Sequence, residues 1–141
     1  SFITALFEDK NGGIWIGTQT GGLNFKEKNS ENFKHIQLKG RLTNSLITKI
    51  IGDNQGKLWV GTEKYGLISY NLSDKSYEIF NVTNGLSSNN IADIIFYKGK
   101  LLIATKDKGI CLLNIKDDKL EPLEHWNSSL NDLHLIFLDI F

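Results

Sequence analysis

The chain has 141 residues, 40% of them apolar and 23% charged, which excludes a disordered or low-complexity chain and allows a buried core. Sixteen basic residues balance sixteen acidic ones, so nothing in the net charge favours nucleic acid or an anionic membrane surface. Cys111 is the single cysteine, which excludes an internal disulfide. The longest apolar run, residues 133–141, is too short to span a bilayer, so direct membrane insertion of this segment is not expected. A Ser start and the lack of any Met fit a piece of a longer protein.

The first predicted element is Ile3-Thr4-Ala5-Leu6-Phe7. Its apolar residues fall at i, i+3 and i+4, a helical spacing, but the run ends after about seven residues at an Asx/Gly turn, Asp9-Lys10-Asn11-Gly12. A strand buried on both faces accounts for it better. The second, Ile14-Trp15-Ile16-Gly17-Thr18, is continuously apolar and β-branched, again the mark of two buried faces. A third strand follows Gly22. A fourth carries Phe33 and Ile36 among polar residues and reads as half exposed. Asp-x-Asn-Gly also opens a calcium loop, but an apolar strand stands where that loop needs its bidentate Glu, so the turn reading is preferred.

The same series then recurs. A shift of 44 carries Ile3, Leu6, Phe7 and Asp9 onto Ile47, Ile50, Ile51 and Asp53, and Ile14-Trp15-Ile16-Gly17-Thr18 onto Leu58-Trp59-Val60-Gly61-Thr62. A third copy starts at Ile91 and continues, after one deletion, as Leu101-Leu102-Ile103-Ala104-Thr105. A fourth begins at Leu133, where Leu133, Ile136, Phe137 and Asp139 match. The repeats run approximately over residues 1–44, 45–88 and 89–132, with the start of a fourth at 133–141. Two hairpins per repeat with doubly buried inner strands predict an all-β fold, a partial β-propeller of about three four-stranded antiparallel blades. Trp15 and Trp59 are expected as wedges between blades, and Gly17, Gly61 and Ala104 at the crowded strand ends. Phe25 lies two residues after Leu23 whereas Tyr70 lies three after Leu67, which predicts a bulge in the third strand. Three blades do not close a ring, so apolar surface is expected at both ends. Further blades of the parent chain, or self-association, would cover it.

The pattern I-x-x-[IL]-[FI]-x-D-x-x-G-x-[IL]-W-[IV]-G-T, followed by Gly-Leu, resembles the two-component regulator propeller repeat. Two copies match closely. The third departs at Tyr97, Leu102 and Ala104, and the fourth matches over its first strand alone. The resemblance implies part of the periplasmic, ligand-sensing region of an inner-membrane hybrid histidine kinase, whose kinase and phosphorelay parts these residues do not contain. It also implies carbohydrate sensing, with an oligosaccharide as the leading ligand.

Enzyme chemistry finds no foothold. His35, His125 and His134 do not recur at equivalent positions, no Gly-x-Ser-x-Gly elbow occurs, and Cys111 sits in an apolar strand as a buried inert thiol. No catalytic residue, metal ligand or cofactor is expected. If the first strand of each repeat is innermost, the loops after Gly-Thr and the loops between repeats share one face. Polar amides beside an aromatic ring suit a sugar. Tyr65 and Trp126 are the candidates for stacking, with Gln19, Asn89 and Asn90 as hydrogen-bonding groups and Lys64 beside them. The alternative is a protein-interaction or structural scaffold that takes no small ligand. Three Asn-x-Ser/Thr sequons, at Asn71, Asn81 and Asn127, would matter only in a eukaryotic secretory protein.

Overall fold

The computed structural model describes residues 1–53, 55–116 and 119–126. They form three four-stranded antiparallel sheets, each a simple meander in chain order. The first contains β1 (Ile3–Glu8), β2 (Ile14–Thr18), β3 (Leu23–Lys26) and β4 (Lys34–His35). The second contains β5 (Ile47–Gly52), β6 (Lys57–Thr62), β7 (Leu67–Asn71) and β8 (Tyr77–Phe80). The third contains β9 (Ile91–Tyr97), β10 (Lys100–Thr105), β11 (Ile110–Lys116) and β12 (Lys119–Trp126). These are blades 1 to 3. Strand β5 lies against β1 and β9 against β5, so the first strand of each repeat is the inner one.

The helix-like spacing of the inner strands has a local cause. Each carries a one-residue register shift against its neighbour, between Ile3 and Ala5, between Ile47 and Lys49, and between Ile91 and Asp93. The extra residue (Thr4, Thr48, Ala92) resets the alternation, so Ile47 and Ile50 share one face and Ile51 takes the other. The bulge expected in the third strand is therefore absent, because β3 and β7 pair in unbroken register with β2 and β6. Phe25 pairs with Trp15 and Tyr70 with Leu58. The two aromatics occupy different positions on opposite faces and are not one position displaced by an insertion.

Two apolar clusters lie between the blades. Trp15 and Leu23 of blade 1 pack on Ile47, Ile50, Leu58 and Val60 of blade 2. Trp59, Leu67 and Phe80 of blade 2 pack in the same way on Ile91, Ile94, Leu101 and Ile103 of blade 3. Each blade thus has a leading face toward its predecessor and a trailing face toward its successor, and both indoles are the expected wedges. The ends of the array are open. Ile3 and Leu6 are 57% and 66% exposed, while their equivalents Ile47, Ile50, Ile91 and Ile94 are at most 3% exposed. At the far end Ile95 is 41% exposed. Strand β4 is only two residues long, with Phe33 exposed beside it rather than set into the core.

Candidate functional site

The Thr that closes each second strand organises the loop after it. Thr18, Thr62 and Thr105 each donate a hydroxyl hydrogen bond to the carbonyl of the glycine four residues on, Gly22, Gly66 and Gly109, at 3.2, 2.8 and 2.7 Å. Each hydroxyl also accepts from the backbone N–H three residues on, those of Gly21, Tyr65 and Lys108. The role shared by this Thr in the three copies is therefore a turn lock. Thr62→Val keeps the shape, removes both bonds and leaves the Tyr65 N–H without its acceptor. It is expected to lower stability by about 1–2 kcal/mol, read as a lower urea midpoint at unchanged slope.

The residue after each Thr then ties its loop to the segment that enters its blade. Gln19 N–H donates to Phe2 O, Glu63 N–H to Leu46 O and Lys106 N–H to Asn90 O. The post-Thr loops and the inter-blade connections therefore do share one face. Between blades 1 and 2 this face holds a cavity of 310 Å³. Gln19 and Thr20 border it from blade 1, Lys64 and Tyr65 from blade 2, and Arg41 and Asn44 from the connector. Tyr65 is half-buried and packs against the apolar cluster between the two blades, whereas Gln19, Lys64, Arg41 and Asn44 are exposed.

The connector is held firmly. Its short 3₁₀ turn, Gly40–Asn44, buries Leu42, and the Ser45 hydroxyl donates to Leu42 O at 2.9 Å. The Tyr77 hydroxyl accepts from Lys39 N–H at 2.9 Å, and His35 Nε2 lies 2.8 Å from Thr43 O. A carbonyl only accepts, so Nε2 carries the proton and His35 acts here as a tether.

Three of the six residues singled out from the sequence, Gln19, Lys64 and Tyr65, meet at this cavity. Asn89 and Asn90 lie at the next inter-blade junction. There the Asn89 side-chain oxygen accepts from Val82 N–H and its backbone carbonyl from Gly66 N–H. Asn90 N–H donates to Ser88 Oγ, and Asn90 Oδ1 is buried without a partner. Trp126, expected in a loop, instead ends β12, where its backbone pairs with Ile110. The remainder of that loop lies outside the described residues. Arg41 was not singled out, although one signal was present: it is the sole Arg among sixteen basic residues.

A second cavity, of 450 Å³, opens on the opposite side of the same two blades. Its apolar wall is the stack of Trp15 on Phe25, with ring centroids 4.4 Å apart, and Tyr70 edge-on to Trp15 at 5.4 Å. Burial pushes the Tyr70 phenol above its ordinary range, and the Asp74 carboxylate pushes it further. Asp9 at the rim is occupied with structure. Its carboxylate accepts from Asn11 N–H, Gly13 N–H and Trp15 Nε1–H, all within 2.9 Å, and Asp53 accepts likewise from Gln55 and Lys57 N–H. Cys111 is buried, and that burial raises its thiol pKa. Among the described residues no three His, Cys, Asp or Glu side chains are grouped to hold a metal ion, and no helix is long and apolar enough to cross a membrane.

The family described as two component regulator propeller matches residues 1–20 and 41–64. These stretches include the inner strands of blades 1 and 2. No curated protein matches the chain. Among solved structures, the chain is similar to PorZ, an essential bacterial surface component of the type-IX secretion system of Porphyromonas gingivalis. The identity is 25% and the TM-score 0.63, over 77% of this chain and 17% of that one. It is also similar to the extracellular domains of two hybrid two-component systems of B. thetaiotaomicron. One shows 24% identity and a TM-score of 0.70 over 86% of this chain and 18% of that one. The other shows 23% identity and 0.69 over 92% and 19%. The chain thus spans less than a fifth of the length of these natural neighbours. The stretches that match the family fall in blades 1 and 2, and the solved neighbours share the fold of the described blades.

Proposed function

We propose that this segment belongs to the extracytoplasmic ligand-sensing propeller of a two-component sensor, and that an oligosaccharide or similar polar solute is recognised at the cavity between blades 1 and 2. The observation that supports the reading is convergence. Two blades and their connector bring an amide (Gln19), two cations (Arg41, Lys64) and one aromatic ring (Tyr65) to the edge of a single 310 Å³ cavity. Such groups hydrogen-bond sugar hydroxyls while the ring covers an apolar sugar face. The segment is a binding module, and any kinase or phosphorelay chemistry belongs to other parts of the parent protein.

Calorimetric titration with a panel of neutral and acidic oligosaccharides tests this. One member is expected to bind, and Tyr65→Ala is expected to weaken it at least tenfold, about 1.4 kcal/mol, measured at a temperature where the variant is still folded. No heat from any member overturns the ligand class. Undiminished binding by Tyr65→Ala moves the site away from this cavity.

A further inference from the structure

The 450 Å³ cavity on the opposite side of blades 1 and 2 carries chemistry that the fold does not use. Tyr70 lines it and is only 5% exposed, yet its hydroxyl makes no hydrogen bond among the described residues. Burial and the Asp74 carboxylate keep the phenol protonated, so a buried O–H donor is left for whatever occupies the cavity. The wall around it is apolar. Trp15 is buried, whereas Phe25, Ile36 and Leu72 are only half-buried. The repeat does not require these rings. Phe25 pairs with Trp15 where Ser69 pairs with Trp59, and Tyr70 pairs with Leu58 where Leu113 pairs with Leu101. The junction of blades 2 and 3 thus has a serine and a leucine in the two places that hold rings here. The rim, in turn, leaves positive charge unmet. Lys28 comes from the β3–β4 turn and Lys75 from the β7–β8 turn, both exposed and neither in an ion pair among the described residues. The nearby carboxylates are all engaged. Asp9 accepts from three N–H groups, Glu27 pairs with Lys34 at 3.3 Å, and Asp74 accepts from the N–H and hydroxyl of Ser76.

We propose that this cavity is a second binding site, which takes a small aromatic carboxylate. The ligand's ring lies against Phe25 and Trp15, and its carboxylate meets the Tyr70 hydroxyl and the charges of Lys28 and Lys75. A sugar fits less well. The Trp15 indole N–H is already given to Asp9, so the ring wall would strip water from sugar hydroxyls without replacing it. A bare anion would leave the half-buried apolar side chains in water. The volume is within the range of small-molecule sites, about 300–1,000 Å³. The site is independent of the oligosaccharide cavity, which faces the other side of the blades.

Titration with benzoate, 2-naphthoate and indole-3-carboxylate, followed by calorimetry and by the Trp15 indole N–H resonance, tests the site. At least one acid is expected to bind and shift that resonance, and its neutral amide is expected to bind about tenfold more weakly. Tyr70→Phe keeps the ring and removes only the unpartnered hydroxyl. It is expected to weaken the same acid about tenfold without lowering the urea midpoint. Lys28→Gln combined with Lys75→Gln is expected to weaken it about two- to fivefold and to flatten its dependence on salt. No heat and no shift from any of the three acids overturns the proposal. So does equal affinity for acid and amide, or undiminished binding by Tyr70→Phe. A lower urea midpoint in Tyr70→Phe would assign the hydroxyl to the fold and overturns it as well.

Discussion

Trp59→Ala is expected to cost about 3–5 kcal/mol of unfolding free energy, a large share of the about 5–15 kcal/mol available to a domain. The side chain is 1% exposed and fills the junction of blades 2 and 3 among Phe80, Ile91 and Ile94, its ring 6.3 Å from that of Phe80. Truncation leaves a cavity that two rigid sheets do not close, because each inner strand is also fixed by its own hairpin. Substitution by Phe separates packing from polarity. Trp59 Nε1 is buried without a hydrogen-bond partner, so Trp59→Phe gives up ring volume and nothing polar. Trp15 Nε1 donates to Asp9 Oδ2 at 2.8 Å, and Asp9 is buried. Trp15→Phe therefore strands a carboxylate oxygen and is expected to cost about 1–3 kcal/mol more than Trp59→Phe. Urea unfolding of the three variants measures these differences. A loss below about 1 kcal/mol for Trp59→Ala would show that this junction is not the principal core.

The indole contrast marks where sequence reading reaches its limit. Asp9 and Asp53, and Trp15 and Trp59, are identical residues at one repeat spacing, and the turn role of both carboxylates follows from that spacing. Only the structure separates them, because a hydrogen bond six residues away in sequence depends on how the turn aims the second oxygen. The fold was legible for a robust reason: burial on both faces of an inner strand leaves a continuous apolar signature, and the 44-residue shift repeats it. The bulge was not assigned to the right strand, because the bulged position has no fixed side chain: Ala92 stands where Thr4 and Thr48 stand. The register shift is a backbone event, and its trace in the sequence is the i, i+3 spacing that imitates a helix. The fourth strand of blade 1 lies where Phe33 and Ile36 place it, but it is short. Lys34 and His35 pair with β3 and Ile36 N–H donates to Leu23 O, a short contact as expected of an outermost strand with one neighbour. At the candidate site, Gln19, Lys64 and Tyr65 were readable as residues just past the Gly-Thr strand ends. Arg41 was hidden in a connector whose 3₁₀ turn has no counterpart at the same repeat position in the next connector, where Val82–Asn84 forms a shorter one.

Gly66→Ala carries the second large expected loss, about 2–4 kcal/mol, and it tests whether the strand ends or the loops fix the face that bears the cavity. Gly66 has φ of +83°, which alone costs an alanine about 1–2 kcal/mol. Its added Cβ would also collide with the backbone carbonyl of Phe80 and lie 3.2 Å from Asn81 Cα, atoms of the outer strand and its exit that do not swing aside. Moreover, Gly66 is held from both ends. Its carbonyl accepts from Thr62 N–H and Thr62 Oγ1–H, and its own N–H donates to Asn89 O at 2.9 Å. Relief of the collision must therefore break a turn lock or the tie to the next inter-blade segment, and Tyr65 sits immediately before it. Gly56→Ala is the matched control, because φ there is +84° but the nearest outside atom to a new Cβ is Lys10 Nζ at 3.6 Å. It carries the dihedral cost alone and is expected to lose about 1 kcal/mol. Equal losses in the two variants, measured by chemical denaturation, would refute the steric account. A larger loss for Gly66→Ala, together with weakened binding at the Tyr65 cavity, would show that the strand-end lock shapes that cavity.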